Sequence, residues 1–143
     1  MKRSPIRRRV RLSKESKRRP TVKELDKLVR EIVLARDGHK CQLVKAGMGP
    51  CGGHLQACHI LGKWAYPALR FEPLNVITGC WRHHAPQSPV SWHSNPMNYA
   101  TWFRTEYAHR WSTLCLMSNN TSKRDLAATR LYLLAEKERM GMT

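Results

Sequence analysis

Residues 58–84 read CHILGKWAYPALRFEPLNVITGCWRHH, and the reading of this stretch decides the fold. Its ends lie in two short runs, LQACHI at 55–60 and NVITGC at 75–80. Runs of that length, bounded by turn residues, predict two strands. The segment LGKWAYPALRFEPL between them predicts a long loop. A helix is expected directly after Cys80, carrying His83 and His84. Adjacent helical residues point about 100° apart, because a turn takes about 3.6 residues. The two imidazoles therefore do not readily serve one ion, and each has its own task.

The same stretch holds half of a metal site. Two residues separate Cys80 from His83, a spacing that lets both reach one ion. Upstream, Cys41 and Cys51 flank an insert longer than the two residues usual in a zinc knuckle. Three thiolates and one imidazole close a tetrahedron around Zn²⁺, which makes such a site structural. The alternative is that Cys41 and Cys51 are small buried residues. Five cysteines is an odd number, and beside seven histidines metal ligation is favoured over a disulfide framework. His39 and His54 are expected at the surface, and Cys115 in the core.

Length and charge set the class. A chain of 143 residues makes one domain with an appendage, and a core small enough to benefit from a metal. The formal net charge of +16 points to a polyanionic partner. Residues 1–20 carry ten Lys or Arg against Glu15 alone, which accounts for +9. This arm is expected to be disordered and to lie on phosphates, with Arg7, Arg8, Arg9 and Arg11 as contacts. The alternative is a solvated tail. No apolar run is long enough to span a membrane, and none follows the basic start as in a secretory signal. The expected location is cytoplasmic, the host cytosol if the chain is phage encoded.

The rest, residues 21–143, predicts one domain. Thr21 and Glu24 form a capping box for a helix over 21–37 with Leu25, Leu28, Val29 and Ile32 on one face, ended by Gly38. Residues 85–95 form a loop. Asn95 and Pro96 start a second helix that buries Tyr99, Trp102, Phe103 and Tyr107 and closes at His109 and Arg110. Residues 111–120 are a connector. A last helix over 122–139 presents Leu126 or Ala127, Leu131, Leu134 and Ala135 as its apolar face. The aromatic helix and the last helix are the two candidate faces for a homodimer.

Phosphodiester hydrolysis needs an activated water, a cation on the phosphate and stabilisation of the leaving oxygen. A neutral imidazole is a suitable base near pH 7. His59, Asn75 and His84 fit this plan: a strand positions the base, Asn75 holds the hairpin loop, and the helix presents a metal ligand. Lys63, Arg70 and Arg82 are candidate DNA contacts. Trp64, Tyr66 and Phe71 are assigned to packing rather than to a sugar or base.

These residues carry a resemblance. The stretch resembles the HNH, or ββα-metal, nuclease superfamily, with RDGHKC similar to the start of its first knuckle and LNVITGCWRHH to its close. The segments CHI, LRF, Asn75 and Cys80, with the later WHSNP, are similar to phage recombination nucleases of the NinG/Rap type, which act on branched DNA. The resemblance implies an α+β fold: a small zinc-braced ββα-metal core with flanking helices. It implies that His59 activates water, Asn75 orients the motif and His84 helps hold Mg²⁺ or Mn²⁺. Where the family often has Asp or His before its first His, this chain has Cys58, a soft ligand ill-suited to Mg²⁺. His93 is the candidate to complete the ion's ligand set. Glu72, the one carboxylate within the motif, is expected on a surface loop.

The expected function is a metal-dependent DNA endonuclease acting on duplex or branched DNA. The alternative is a non-catalytic zinc-stabilised DNA-binding or architectural protein with a degenerate core. An RNA-binding zinc protein is a weaker third reading.

Overall fold

The computed structural model describes residues 18–142. Arg7, Arg8, Arg9 and Arg11, and most of the basic arm, lie outside the described residues. Among the described residues the chain is α+β, with five α-helices and one two-stranded sheet. No described helix is long and apolar enough to cross a membrane.

Helix α1, Val22–Arg36, begins where Thr21 and Glu24 close both arms of the capping box. It ends at Asp37, and Gly38 follows with φ +65°, a left-handed conformation cheap only for glycine. The Asp37 carboxylate accepts the Thr78 backbone N–H at 2.8 Å, tying the helix end to the sheet. Strands β1, Leu55–His59, and β2, Val76–Cys80, pair antiparallel with Leu55 opposite Cys80 and His59 opposite Val76. Two 3₁₀ turns, Pro67–Leu69 and Pro73–Asn75, shape the loop between them. Helix α2, Trp81–His84, leaves β2 directly.

Two apolar clusters flank the hairpin. On one side α1 buries Leu25, Val29, Ile32 and Val33 with Phe71, Val76 and Leu133. On the other, Leu43, Cys58 and Ile77 meet Tyr99, Phe103 and Leu114. Trp92 stacks on Tyr99 at 5.5 Å, and Phe103 lies 5.0 Å from Tyr107. Burying each such large side chain contributes roughly 1.5–3 kcal/mol.

The C-terminal half departs from expectation in several places. Residues 111–120 are not simply a connector. Helix α3, Pro96–Glu106, stops at Tyr107, and α4, Ala108–Met117, takes the chain onward. Arg110 does not close a helix end. It sits within α4 and donates to the carbonyls of Leu74 and Val76 at 2.7 and 2.8 Å. Asn95 does not cap α3; its amide donates to the Pro89 and Ser91 carbonyls and braces the preceding loop. Cys115 is exposed rather than in the core. Helix α5, Leu126–Arg139, begins after Asp125, whose carboxylate accepts the N–H groups of Ala127 and Ala128. Its inward face is Leu126 and Leu133, while Leu131 is 70% exposed.

Candidate functional site

Two sites sit on either side of helix α2, and His83 and His84 divide between them. On one side Cys41, Cys51, Cys80 and His83 bring their donor atoms within 4.8 Å of one another. The His83 Nδ1 lies 3.5, 3.9 and 3.3 Å from the sulfurs of Cys41, Cys51 and Cys80. A tetrahedral ion with ordinary Zn–S and Zn–N bonds separates such donors by about 3.5 Å. Nε2 of His83 donates to the Gly49 carbonyl at 3.0 Å, which leaves the Nδ1 lone pair facing the sulfurs. These four residues form a cluster that can hold a metal ion such as zinc.

The long insert between Cys41 and Cys51 explains itself in this geometry. It carries a 3₁₀ turn, Leu43–Ala46, and its Leu43 is fully buried. It returns Gly49 to the His83 ring, and the Arg82 side chain packs beside Gly49 and Gly52. Burial opposes ionisation of Cys80, but the N–H groups of Gly52 and His83, together with hydrogen bonds from the Cys41 and Cys51 thiols, outweigh it and hold the thiol below its usual value. Burial pushes Cys41 up to about 12. A bound cation reverses that balance, since the thiolate is the ligand form.

On the other side lies an open groove of about 660 Å³, lined among others by His59, His84, His93, Lys63, Trp64 and Arg70. His59, at the end of β1, has Nε2 2.9 Å from the Arg70 carbonyl. A carbonyl only accepts, so Nε2 carries the proton and Nδ1 keeps its lone pair. His84 is fixed in the opposite sense. Its Nδ1 lies 2.6 Å from Gln56 Oε1, which makes Nε2 the atom with the lone pair. The ring of His93 is 5.2 Å from that of His84. Burial, with the neighbouring His93 and His59, pushes His84 down to about 4. Burial also lowers His59, so both imidazoles are neutral at pH 7.

Asn75 is fully buried and clamps the hairpin loop. Its Oδ1 accepts Leu61 N–H at 2.8 Å, and its Nδ2 donates to the carbonyls of Leu61 and Leu69. The residue after His59, Ile60, donates its N–H to the Asn75 carbonyl at 2.9 Å.

No protein-family model, curated protein or solved structure matches this chain.

Cys58 is turned away from the groove. It is 1% exposed and its Sγ lies 3.7 Å from the Gln56 carbonyl, inside the aromatic cluster. A Cβ on Gly79 would come within 2.7 Å of that sulfur and 2.6 Å of Leu43, so only glycine lets both pack on β2. Glu72 is not a plain surface residue. It is half-buried, accepts the Leu74 N–H and meets the Tyr132 hydroxyl at 3.3 Å. Arg70 stands on the groove wall, but its guanidinium is gripped by Asp26 at 2.7 and 3.1 Å. Arg82 lies on the cysteine side of α2 and not in the groove. Trp64 does not pack: it is 84% exposed, whereas Phe71 is buried.

Gln56 and Asp26 are the groove residues that sequence reading misses. Gln56 sets the His84 tautomer. Asp26 comes from α1 and is the one carboxylate among the described groove residues. No local pattern marks either. The hairpin register brings Gln56 to helix α2, and the docking of α1 brings Asp26. His54, expected at the surface, is exposed at the groove rim beside Gln56.

Proposed function

We propose that this protein is a metal-dependent DNA endonuclease of the ββα-metal kind. The observation that carries the reading is the pairing of two oppositely locked imidazoles in one cationic groove. His59 presents a bare Nδ1, and His84 a bare Nε2, each fixed by a partner on the other ring nitrogen. His59 Nδ1 takes the proton from the attacking water. Asn75 acts through the loop it clamps and keeps His59 in place. His84 Nε2, with His93, would hold a divalent cation such as Mg²⁺ or Mn²⁺. When bound, the cation polarises the phosphate and offsets charge on the leaving oxygen. Two imidazoles are softer donors than Mg²⁺ prefers, so such a cation would need oxygen donors from outside the pair. Cys41, Cys51, Cys80 and His83 would hold a structural Zn²⁺. Lys63 and the basic N-terminal arm hold the DNA through phosphates.

Cleavage of linear, nicked and four-way-junction DNA tests this, with Mg²⁺, Mn²⁺ or neither. Cutting that depends on the added ion is expected, and His59→Ala is expected to lower its rate by at least ~100-fold while the protein stays folded. Unchanged cutting in His59→Ala would remove the base assignment. The ranking of the three DNAs tests the branched-DNA role implied by the resemblance.

One observation favours a second reading, a DNA-binding protein that has lost catalysis. Among the described residues the groove offers no free carboxylate: Asp26 is held by Arg70, and Cys58 points into the core. Tight DNA binding with no cutting in any ion would select it.

A further inference from the structure

A second concavity, of about 500 Å³, lies on the far side of the loop that walls the histidine groove. One wall is apolar and includes Pro67 and Leu69. The other is the segment before α5, with Ser122, Lys123 and Arg124. We propose that this pocket is a second DNA subsite, which seats one backbone phosphate and its sugar from the strand that leaves the groove. The inference rests on the reading that DNA is the ligand.

Charge is the first argument. Among the described residues neither Lys123 nor Arg124 pairs with a carboxylate. Asp125, next in sequence, is turned to cap α5. Nη1 of Arg124 is out of solvent and has no oxygen to donate to. The side chain as a whole is half-buried and lines the pocket, so the cation stands within reach of a ligand seated there.

Its placement is the second argument. The Arg124 guanidinium lies 5.1 Å over the ring of Phe71, and Arg70 lies 5.6 Å over the same ring. Arg70 belongs to the groove wall, so one buried aromatic ring positions a cation of the groove and a cation of the pocket. The loop has the same divided character. Lys63, Trp64 and Arg70 line the groove, and residues 65–69 between them line the pocket. At the divide stands the bare indole of Trp64, with Lys63 5.7 Å from its centroid. An exposed indole beside cations offers a base a stacking face. A polyanionic strand crossing Trp64 therefore passes from one cation-lined hollow into the next, with its sugar against Pro67 and Leu69.

The test is binding of fluorescent single-stranded and duplex oligonucleotides across a salt series, with no Mg²⁺ or Mn²⁺ added. Lys123→Ala and Arg124→Gln are each expected to weaken binding about 3- to 10-fold and to reduce the salt slope by about one. Arg124→Lys is expected to keep the slope. If Arg124→Gln does not fold, the surface variant Lys123→Ala decides. An unchanged slope in Lys123→Ala, in a protein that still cuts DNA, overturns the subsite and leaves the nuclease reading standing. A reduced slope in a protein that binds but never cuts supports the subsite and removes the nuclease reading. A wild-type protein that binds no DNA overturns both.

Discussion

His59 is held by one carbonyl and half-buried in the groove wall, and its chemistry follows from that. Burial lowers its pKa below 6.5, more than the Arg70 carbonyl and Asp26 raise it. A base acts only when unprotonated. The single-turnover cleavage rate is therefore expected to rise with pH and to reach half its plateau below pH 6.5. A half-rise above pH 7 would count against His59 as the base. Asn75 makes a different prediction. Its side chain satisfies both the N–H and the carbonyl of Leu61, and replacing it leaves them unpaired in a half-buried place. Asn75→Ala is expected to cost roughly 2–6 kcal/mol in denaturant unfolding, at about 1–3 kcal/mol per orphaned group. It is also expected to slow cleavage at least ~10-fold, since the loop it clamps holds His59. Asn75 and His59 stand out in the sequence as candidates for a site. Their tautomer and clamp geometry do not, because these depend on carbonyls 11 and 14 residues away.

At the scale of elements, helices were legible where a cap or a turn residue marks them. Thr21, Glu24 and Gly38 delimit α1 because capping is a local contest for free amides. The break at Tyr107 carries neither Gly nor Pro, and nothing in the sequence announces it. The face of α5 was equally hidden. Leucines stand at 131, 133 and 134, and a helix can present either set. Contact with α1 chooses Leu133 and leaves Leu131 in solvent. Leu133→Ala is accordingly expected to cost about 2–5 kcal/mol, and Leu131→Ala within about 0.5 kcal/mol of zero. Thermal or denaturant unfolding of the two variants checks this. Equal losses would mean that α5 docks differently.

For the whole molecule, the cysteine cluster joins segments that have little regular structure of their own. Residues 41–54 hold one 3₁₀ turn and no strand, and they are fastened to α2 through Cys41, Cys51 and His83. Elemental analysis is expected to find one zinc per chain. Removing it with a strong chelator should lower the thermal midpoint by roughly 10 °C or more, because metal binding is folding free energy in such a site. Cys80→Ser should reproduce the loss, whereas His59→Ala should keep both the zinc and the midpoint. A metal-free protein of unchanged midpoint would reduce the cluster to buried thiols.

The sequence by itself determined the parts whose physics is short-range. Cys80 and His83 lie one helical turn apart and must face one side. His83 and His84 are adjacent and must face two. The apolar runs at 55–60 and 75–80 were bound to pair once the loop between them closed. Only the tertiary structure decided which side chains share the groove. The docking of α1 over the hairpin brings Asp26 to Arg70, which ties up a cation that the chain otherwise offers to phosphate. The hairpin register delivers Gln56 to His84, and close packing at Gly79 draws Cys58 into the core. Each of these contacts joins residues 21 to 44 positions apart, and no local pattern of charge or hydrophobicity encodes them.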